Sequence, residues 1–171
     1  GTGKTAIAKF ICEQIEEKAQ NEDKQIHTSY INCKQTNTPY GILSNIGRTY
    51  SSKWEEQIPS AGWRIDKVYS KLRQKANENG GIAIIVLDEI DALVSKSGDE
   101  ILYHLTGLNA DLDNSKIAII GISNDVKFTS WLDPRVKSRL GEEGLAFAPY
   151  NAPQIENILC NRATIAFKKN V

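Results

Sequence analysis

Residues 81–93 read Gly81-Ile82-Ala83-Ile84-Ile85-Val86-Leu87-Asp88-Glu89-Ile90-Asp91-Ala92-Leu93. The unbroken apolar run at 82–87 is rich in β-branched side chains and is entered from Gly80-Gly81. That is the composition of a strand covered on both faces, the habit of parallel sheets flanked by helices. The run ends on Asp88 and Glu89, at what would be the carboxyl end of the strand, where open α/β sheets bind ligands. One carboxylate there can hold a hydrated divalent cation, and the next can orient or deprotonate a water. Taken alone, the acidic pair reads equally as a strand that stops in a polar turn.

The first five residues weigh against the polar turn. Gly1-Thr2-Gly3-Lys4-Thr5 is the second half of the phosphate-binding pattern G-x-x-x-x-G-K-[ST]. In such a loop backbone N–H groups converge on phosphate oxygens, glycine supplies the backbone angles, and the following helix adds its positive end. Gly1, Thr2 and Gly3 are expected to line the phosphates, Lys4 to reach the β and γ phosphates, and the Thr5 hydroxyl to ligate Mg²⁺. One motif supplies a phosphate cradle and the other the metal and water chemistry, so together they describe a nucleotide triphosphatase core. The first glycine of the pattern, the strand that should feed it and a start methionine are not in the sequence, so the expectation is a fragment of a longer protein.

At 171 residues the chain is one domain's worth, and 40% hydrophobic with 25% charged residues is ordinary for a globular protein. Lys+Arg and Asp+Glu balance at 21 each, so any nucleic-acid contact must come from a local patch. Cys12, Cys33 and Cys160 lie far apart, without C-x-x-C or paired-histidine spacing. They are expected to be buried small hydrophobes in a reducing, cytoplasmic compartment. No apolar run approaches the ~20 residues of a membrane span.

Ile7, Phe10, Ile11, Ile15 and Ala19 recur at helical spacing after the glycine loop and predict a helix with those residues inward. A strand is expected over 25–33, and a helix after Thr38-Pro39 with Ile42, Leu43, Ile46 and Tyr50 on its apolar face. Between 51 and 63 the pattern lapses around Trp54 and Trp63. A helix follows through Ile65, Val68, Tyr69 and Leu72, its exposed side made basic by Arg64, Lys67, Lys71, Arg73 and Lys75. Beyond the acidic strand come a helix carrying Leu102 and Leu105, then a strand over 116–124. That strand ends at Asn124, an amide placed to hydrogen-bond a γ phosphate or the attacking water. A short helix around Arg135 and Arg139, a short last strand at 145–148, and a helix from Ala152-Pro153 close the chain. Neither His27 nor His104 has partner spacing for catalysis. Strands alternating with helices mean an α/β fold, a parallel sheet with helices on both faces.

The motifs G-T-G-K-T (1–5), V-L-D-E-I-D-A-L (86–93), I-I-G-I-S-N-D (119–125) and L-D-P-R-V-K-S-R-L (132–140), with F-A-P-Y at 147–150, resemble those of the AAA+ P-loop ATPases. Y-I-N-C-K-Q-T-N-T-P-Y (30–40) and I-L-Y-H-L-T-G-L-N (101–109) are similar to the archaeal Orc1/Cdc6 replication initiators within that superfamily. The resemblance covers nearly the whole chain and implies that residues 1–171 are an ATPase core that lacks the strand before the P-loop, the helical lid and a winged-helix domain. It implies Lys4 and Thr5 as phosphate and magnesium contacts, Asp88 as metal ligand, Glu89 as water activator and Asn124 as the first sensor. It also implies an arginine offered to the nucleotide of a neighbouring subunit, Arg139 first and Arg135 second. The region from Trp54 to Arg64 corresponds to a helical insertion that leans on DNA.

The function so implied is an initiator that binds ATP and Mg²⁺ and hydrolyses ATP slowly. It would recognise origin double-stranded DNA mainly through a winged-helix domain, associate with like subunits through the Arg139 face and promote loading of the replicative helicase, in the cytoplasm at the nucleoid. Two other readings stand beside it: an AAA+ ATPase of another branch, clamp-loader-like or signalling, and a nucleotide-gated DNA-binding platform with little hydrolysis.

Overall fold

The computed structural model describes residues 2–50, 58–59, 61–141 and 144–167. They fall into two compact units, Thr5–Glu143 and a smaller one formed by Gly1–Lys4 with Gly144–Val171. Residues 51–57, with Trp54, lie outside the described residues, as does Gly1.

In the larger unit three parallel strands, β1 (Ile26–Asn32), β2 (Gly81–Asp88) and β3 (Ser115–Ile122), form a sheet in the order β1-β2-β3. The apolar run at 82–87 is thus the central strand. Register places Asn32, Asp88 and Ile122 side by side at the carboxyl edge. Alternation then sorts the side chains of β2. Ala83, Ile85 and Leu87 point into the main core, with Leu43 and Ile46 of α2 (Pro39–Thr49), Val68 and Leu72 of α3 (Ile65–Asn79), and Leu102 and Leu105 of α5 (Glu100–Gly107). Ile84 and Val86 point the other way, against Ala8 and Cys12 of α1 (Lys4–Asn21). Helices therefore cover both faces, as the sequence predicted, and Asp88 shares the α1 face with Val86.

The α1 packing departs from the expected periodicity. Ile7, Phe10 and Ile11 are exposed, while Ala8 and Cys12 face inward; Ala19 is buried as expected. Ala8 and Cys12 pack with Ile84, Val86 and Ile122 of the sheet, and the bulky apolar residues beside them are left outside. Lys75 corrects the basic-face expectation: it is only 3% exposed. It lies on the same buried helical stripe as Val68, Leu72 and Ala76. The rest of the α3 surface carries its cations outward, and Lys67 stacks on Trp63, 4.1 Å from the ring. Trp63 is held by its backbone N–H donating to Tyr40 Oη at 3.4 Å, which ties that loop to α2. His27 lies in β1, edge-on to Tyr50, and His104 is exposed on α5.

Gly81 opens β2 at φ 77°, and a Cβ there would sit 2.2 Å from the Gln25 carbonyl oxygen. That same carbonyl accepts the Ile82 N–H at 2.9 Å, the first rung between β1 and β2. Gly81→Ala combines a left-handed backbone with a clash against fixed backbone and is expected to cost about 3 kcal/mol or more of stability. Urea unfolding of the variant measures it; a loss below about 0.5 kcal/mol would deny the close approach.

In the smaller unit α7 (Ala152–Ala166) starts with a reciprocal capping box between Asn151 and Gln154 and buries none of its residues. Two expectations fail here. Residues 145–148 form no strand, and Leu145 is 81% exposed. A four-residue apolar run stopped by Pro149 has no neighbouring strand to pair with among the described residues, and without a ladder its backbone gains nothing from extension. Cys160, on α7, is exposed, unlike Cys12 and Cys33.

Candidate functional site

Thr5 sits in the first turn of α1 and Asp88 at the tip of β2. Because Asp88 points to the α1 face, the two meet: Thr5 Oγ1 donates to Asp88 Oδ2 at 2.6 Å. Tyr30 pairs with Val86 in the β1–β2 register, and its phenol donates to the same Oδ2 at 2.7 Å. The Glu89 N–H takes Oδ1 at 2.9 Å. Asp88 is only 4% exposed, and these three donors satisfy a buried carboxylate. Burial, and then the bond to Asp88, push the Tyr30 phenol up to about 12, so it remains a donor at neutral pH. Lys9 of α1 lies 4.0 Å over the Tyr30 ring.

Glu89 follows in the left-handed region, φ 54° and ψ 43°, at the head of α4 (Ile90–Ser97). For a non-glycine residue that conformation costs on the order of 1 kcal/mol and clusters at functional sites. Glu89 Oε1 lies 3.9 Å from Lys34 Nζ, just past the end of β1. Between them Cys33 is fully buried and donates its N–H to the Asp88 carbonyl at 2.8 Å. Burial first, and then the carboxylates of Asp88, Asp91 and Glu89, push its thiol up to about 12, leaving it unreactive. Asn124 stands two residues beyond Ile122, exposed, with its N–H donating to Asp91 Oδ1 of α4 at 3.3 Å. Lys34, Glu89 and Asn124 therefore follow the ends of three strands in register, along the carboxyl edge of the sheet, the edge at which open α/β sheets in general bind ligands.

The two arginines belong to α6 (Pro134–Leu140), whose N-cap Asp133 accepts the Arg135 N–H at 2.8 Å. Arg135 Nε and Nη2 return to the same carboxylate at 3.0 and 3.3 Å, which holds Asp133 below the usual carboxylate range. Arg139 lies on α5 instead: its guanidinium carbon is 4.4 Å from the centre of the Tyr103 ring, and Nη1 donates to the Tyr103 carbonyl at 3.3 Å. The structure thus brings Thr5, Asp88 and Glu89 together and links Asn124 to α4. It bonds both arginines to Tyr103 or Asp133 rather than to the Asp88 group.

In the smaller unit Thr2 Oγ1 is buried and has no hydrogen-bond partner among the described residues. Gly3 has φ 80°, and a Cβ on it would lie 2.7 Å from Tyr150 Oη. Lys4 begins α1. Sequence reading passed over Tyr30, Lys34, Asp91 and Tyr103. Only Tyr30 left a trace, two residues before the strand end that pairs with Asp88. Among the described residues no three His, Cys, Asp or Glu side chains converge as a metal cage, and no helix is long and apolar enough to cross a membrane.

A family model described as "AAA domain" matches residues 1–124. The ORC1-type DNA replication protein of Pyrococcus abyssi is 46% identical over 171 residues, covering all of this chain and 41% of the relative. ORC1-type DNA replication protein 1 of Methanosarcina mazei is 46% identical over 173 residues, covering 100% and 40%. Among solved structures, the Aeropyrum pernix ORC1 protein in complex with DNA matches with a TM-score of 0.87 at 38% identity, over 100% of this chain and 43% of that one. The Aeropyrum pernix ORC2 protein in ADPNP and ADP complexes gives 0.77 at 25% identity, over 95% and 43%. The chain spans about two fifths of the length of the curated relatives it matches. With the family model covering its first 124 residues and an ORC1-type likeness running along its whole length, the chain belongs to the AAA domain family, on the Orc1/Cdc6 branch.

Proposed function

We propose that this chain is the ATP- and Mg²⁺-binding core of a DNA replication initiator, one that hydrolyses ATP slowly as a switch, recognises origin duplex DNA and promotes helicase loading. The observation that carries the reading is the 2.6 Å bond from Thr5 Oγ1 to Asp88 Oδ2. It joins the hydroxyl of a phosphate-loop motif to the first carboxylate of an acidic strand end, two residues separated by most of the sheet in sequence.

The residues present fit the ligands. Hydroxyl and carboxylate oxygens suit a hard cation, and a shell completed by phosphate oxygens and water is the habit of Mg²⁺. The orphaned Thr2 hydroxyl is a donor that a phosphate oxygen would satisfy. In this reading Gly1, Thr2 and Gly3 line the phosphates and Lys4 neutralises the β and γ phosphates. Thr5 and Asp88 hold the cation, Glu89 accepts a proton from the attacking water, and Asn124 orients it. Arg139, or else Arg135, meets the γ phosphate bound by a like subunit. Bound Mg²⁺ would draw charge from the β and γ phosphates as the bond between them breaks. The DNA-complexed and nucleotide-complexed relatives support DNA and nucleotide as ligands, and action in the cytoplasm at the nucleoid follows from origin binding.

One observation favours the platform reading, in which nucleotide is held and scarcely hydrolysed: Lys34 lies 3.9 Å from the carboxylate that would act as base. Nucleotide extracted from purified protein decides that point, mostly ADP for a switch and intact ATP for a platform. The initiator function is tested by titrating origin and scrambled duplexes at one fixed salt concentration. Origin DNA is expected to bind about 10³-fold more tightly. Equal affinity would overturn origin recognition and leave an AAA+ ATPase with a clamp-loader-like or signalling duty.

A further inference from the structure

We infer that Tyr30 is a positioning residue of the cation site: its hydroxyl fixes the Asp88 carboxylate against Thr5, so that the Thr5 oxygen and the remaining face of Oδ1 are presented to the cation. The inference rests on the nucleotide reading above and deepens it. Asp88 Oδ2 accepts from Thr5 Oγ1 at 2.6 Å and from Tyr30 Oη at 2.7 Å. A carboxylate oxygen has two lone pairs in its plane, and here two hydroxyls take both. The other oxygen, Oδ1, is held by the Glu89 N–H at 2.9 Å. Asp88 can neither rotate nor offer Oδ2 outward without breaking one of these bonds. The Thr5 hydrogen is committed to Asp88, so the lone pairs of Thr5 Oγ1 are left for a cation.

Packing alone does not require a tyrosine here. The residue is 37% exposed, and its ring is already occupied by the Lys9 ammonium 4.0 Å above it. Phenylalanine would preserve that ring, its place in β1 and the stacking. What phenylalanine lacks is the hydroxyl, which donates to the carboxylate that orients Thr5 and also meets the Asn32 side chain at the end of β1. Such outer partners of a metal ligand commonly set affinity by an order of magnitude.

The test is Tyr30→Phe, read by binding of a fluorescent ATP analogue during Mg²⁺ titration, with Thr5→Ala and Asp88→Asn in parallel. The Mg²⁺ concentration at half-saturation is expected to rise about tenfold in Tyr30→Phe, with nucleotide affinity in chelator unchanged. An unchanged half-saturation, while Thr5→Ala and Asp88→Asn both shift theirs, overturns the role of Tyr30 and leaves the nucleotide site standing. An equal loss of affinity with and without Mg²⁺ also overturns it, because the tyrosine would then act through packing. If none of the three variants changes the Mg²⁺ dependence, the cation site itself is misassigned and the inference falls with it.

Discussion

Glu89→Gln is expected to bind ATP as tightly as the unaltered protein and to hydrolyse it at one hundredth of the rate or less. Glutamine keeps the length and shape of the side chain, so the head of α4 and the left-handed turn at φ 54° have no new reason to move. What changes is basicity: an amide oxygen accepts a hydrogen bond but cannot take a proton from water. A positioned general base is worth about 10²–10⁴-fold in rate, and that is the range at stake. The contact from Lys34, at 3.9 Å with a lysine side chain 74% exposed, contributes little stability, so its weakening does not confuse the readout. Phosphate release under single-turnover conditions, beside equilibrium binding of a fluorescent ATP analogue, separates chemistry from affinity. Equal hydrolysis by both proteins would remove Glu89 from the role of base.

The central strand, its parallel neighbours and the helices between them were legible because each depends on a strong local pattern. A continuous apolar run bounded by glycine and acid can be little other than the middle of a covered sheet, and β2 matches the run to within a residue at each end. The Thr5, Asp88 and Glu89 group was legible for a different reason: a phosphate loop and an acidic strand end are chemically incomplete without each other. Tyr30 was not, because an aromatic residue in a strand reads as packing, and only the pairing of Tyr30 with Val86 reveals that it shares the face of Asp88. The failures have the same origin. Residues 145–148 carry strand composition, but strand structure needs a partner, and Lys75 carries a charge, but its position on α3 follows the stripe of Val68 and Leu72. Periodicity on α1 placed Ile7, Phe10 and Ile11 inward with Ala19, whereas Ala8 and Cys12 are the residues that meet the sheet.

The sequence left two arginines, and the structure separates them. Arg135 is engaged three times by Asp133, through its backbone N–H and two guanidinium nitrogens. Asp133 is itself anchored by its N–H donating to Asp99 Oδ2 at 2.6 Å. To reach a phosphate on another subunit Arg135 would have to abandon a carboxylate that caps its own helix. Arg139, one turn further along α6, has no carboxylate partner among the described residues and rests on the Tyr103 ring and one carbonyl. An exposed contact of that kind is worth about 0.5–1 kcal/mol, small beside a charge-assisted bond to a phosphate. Arg139→Ala is therefore expected to lower ATP hydrolysis in assembled protein by about 10³-fold, and Arg135→Ala by less than tenfold. The decisive measurement mixes two inactive proteins. An Arg139→Ala subunit keeps Glu89, a Glu89→Gln subunit keeps Arg139, and a site formed by the first beside the second holds both groups. Recovery of hydrolysis on mixing is the expected result and means that Arg139 acts across a subunit boundary. No recovery would confine Arg139 to its own chain, and a large loss in Arg135→Ala with little in Arg139→Ala would move the assignment to Arg135.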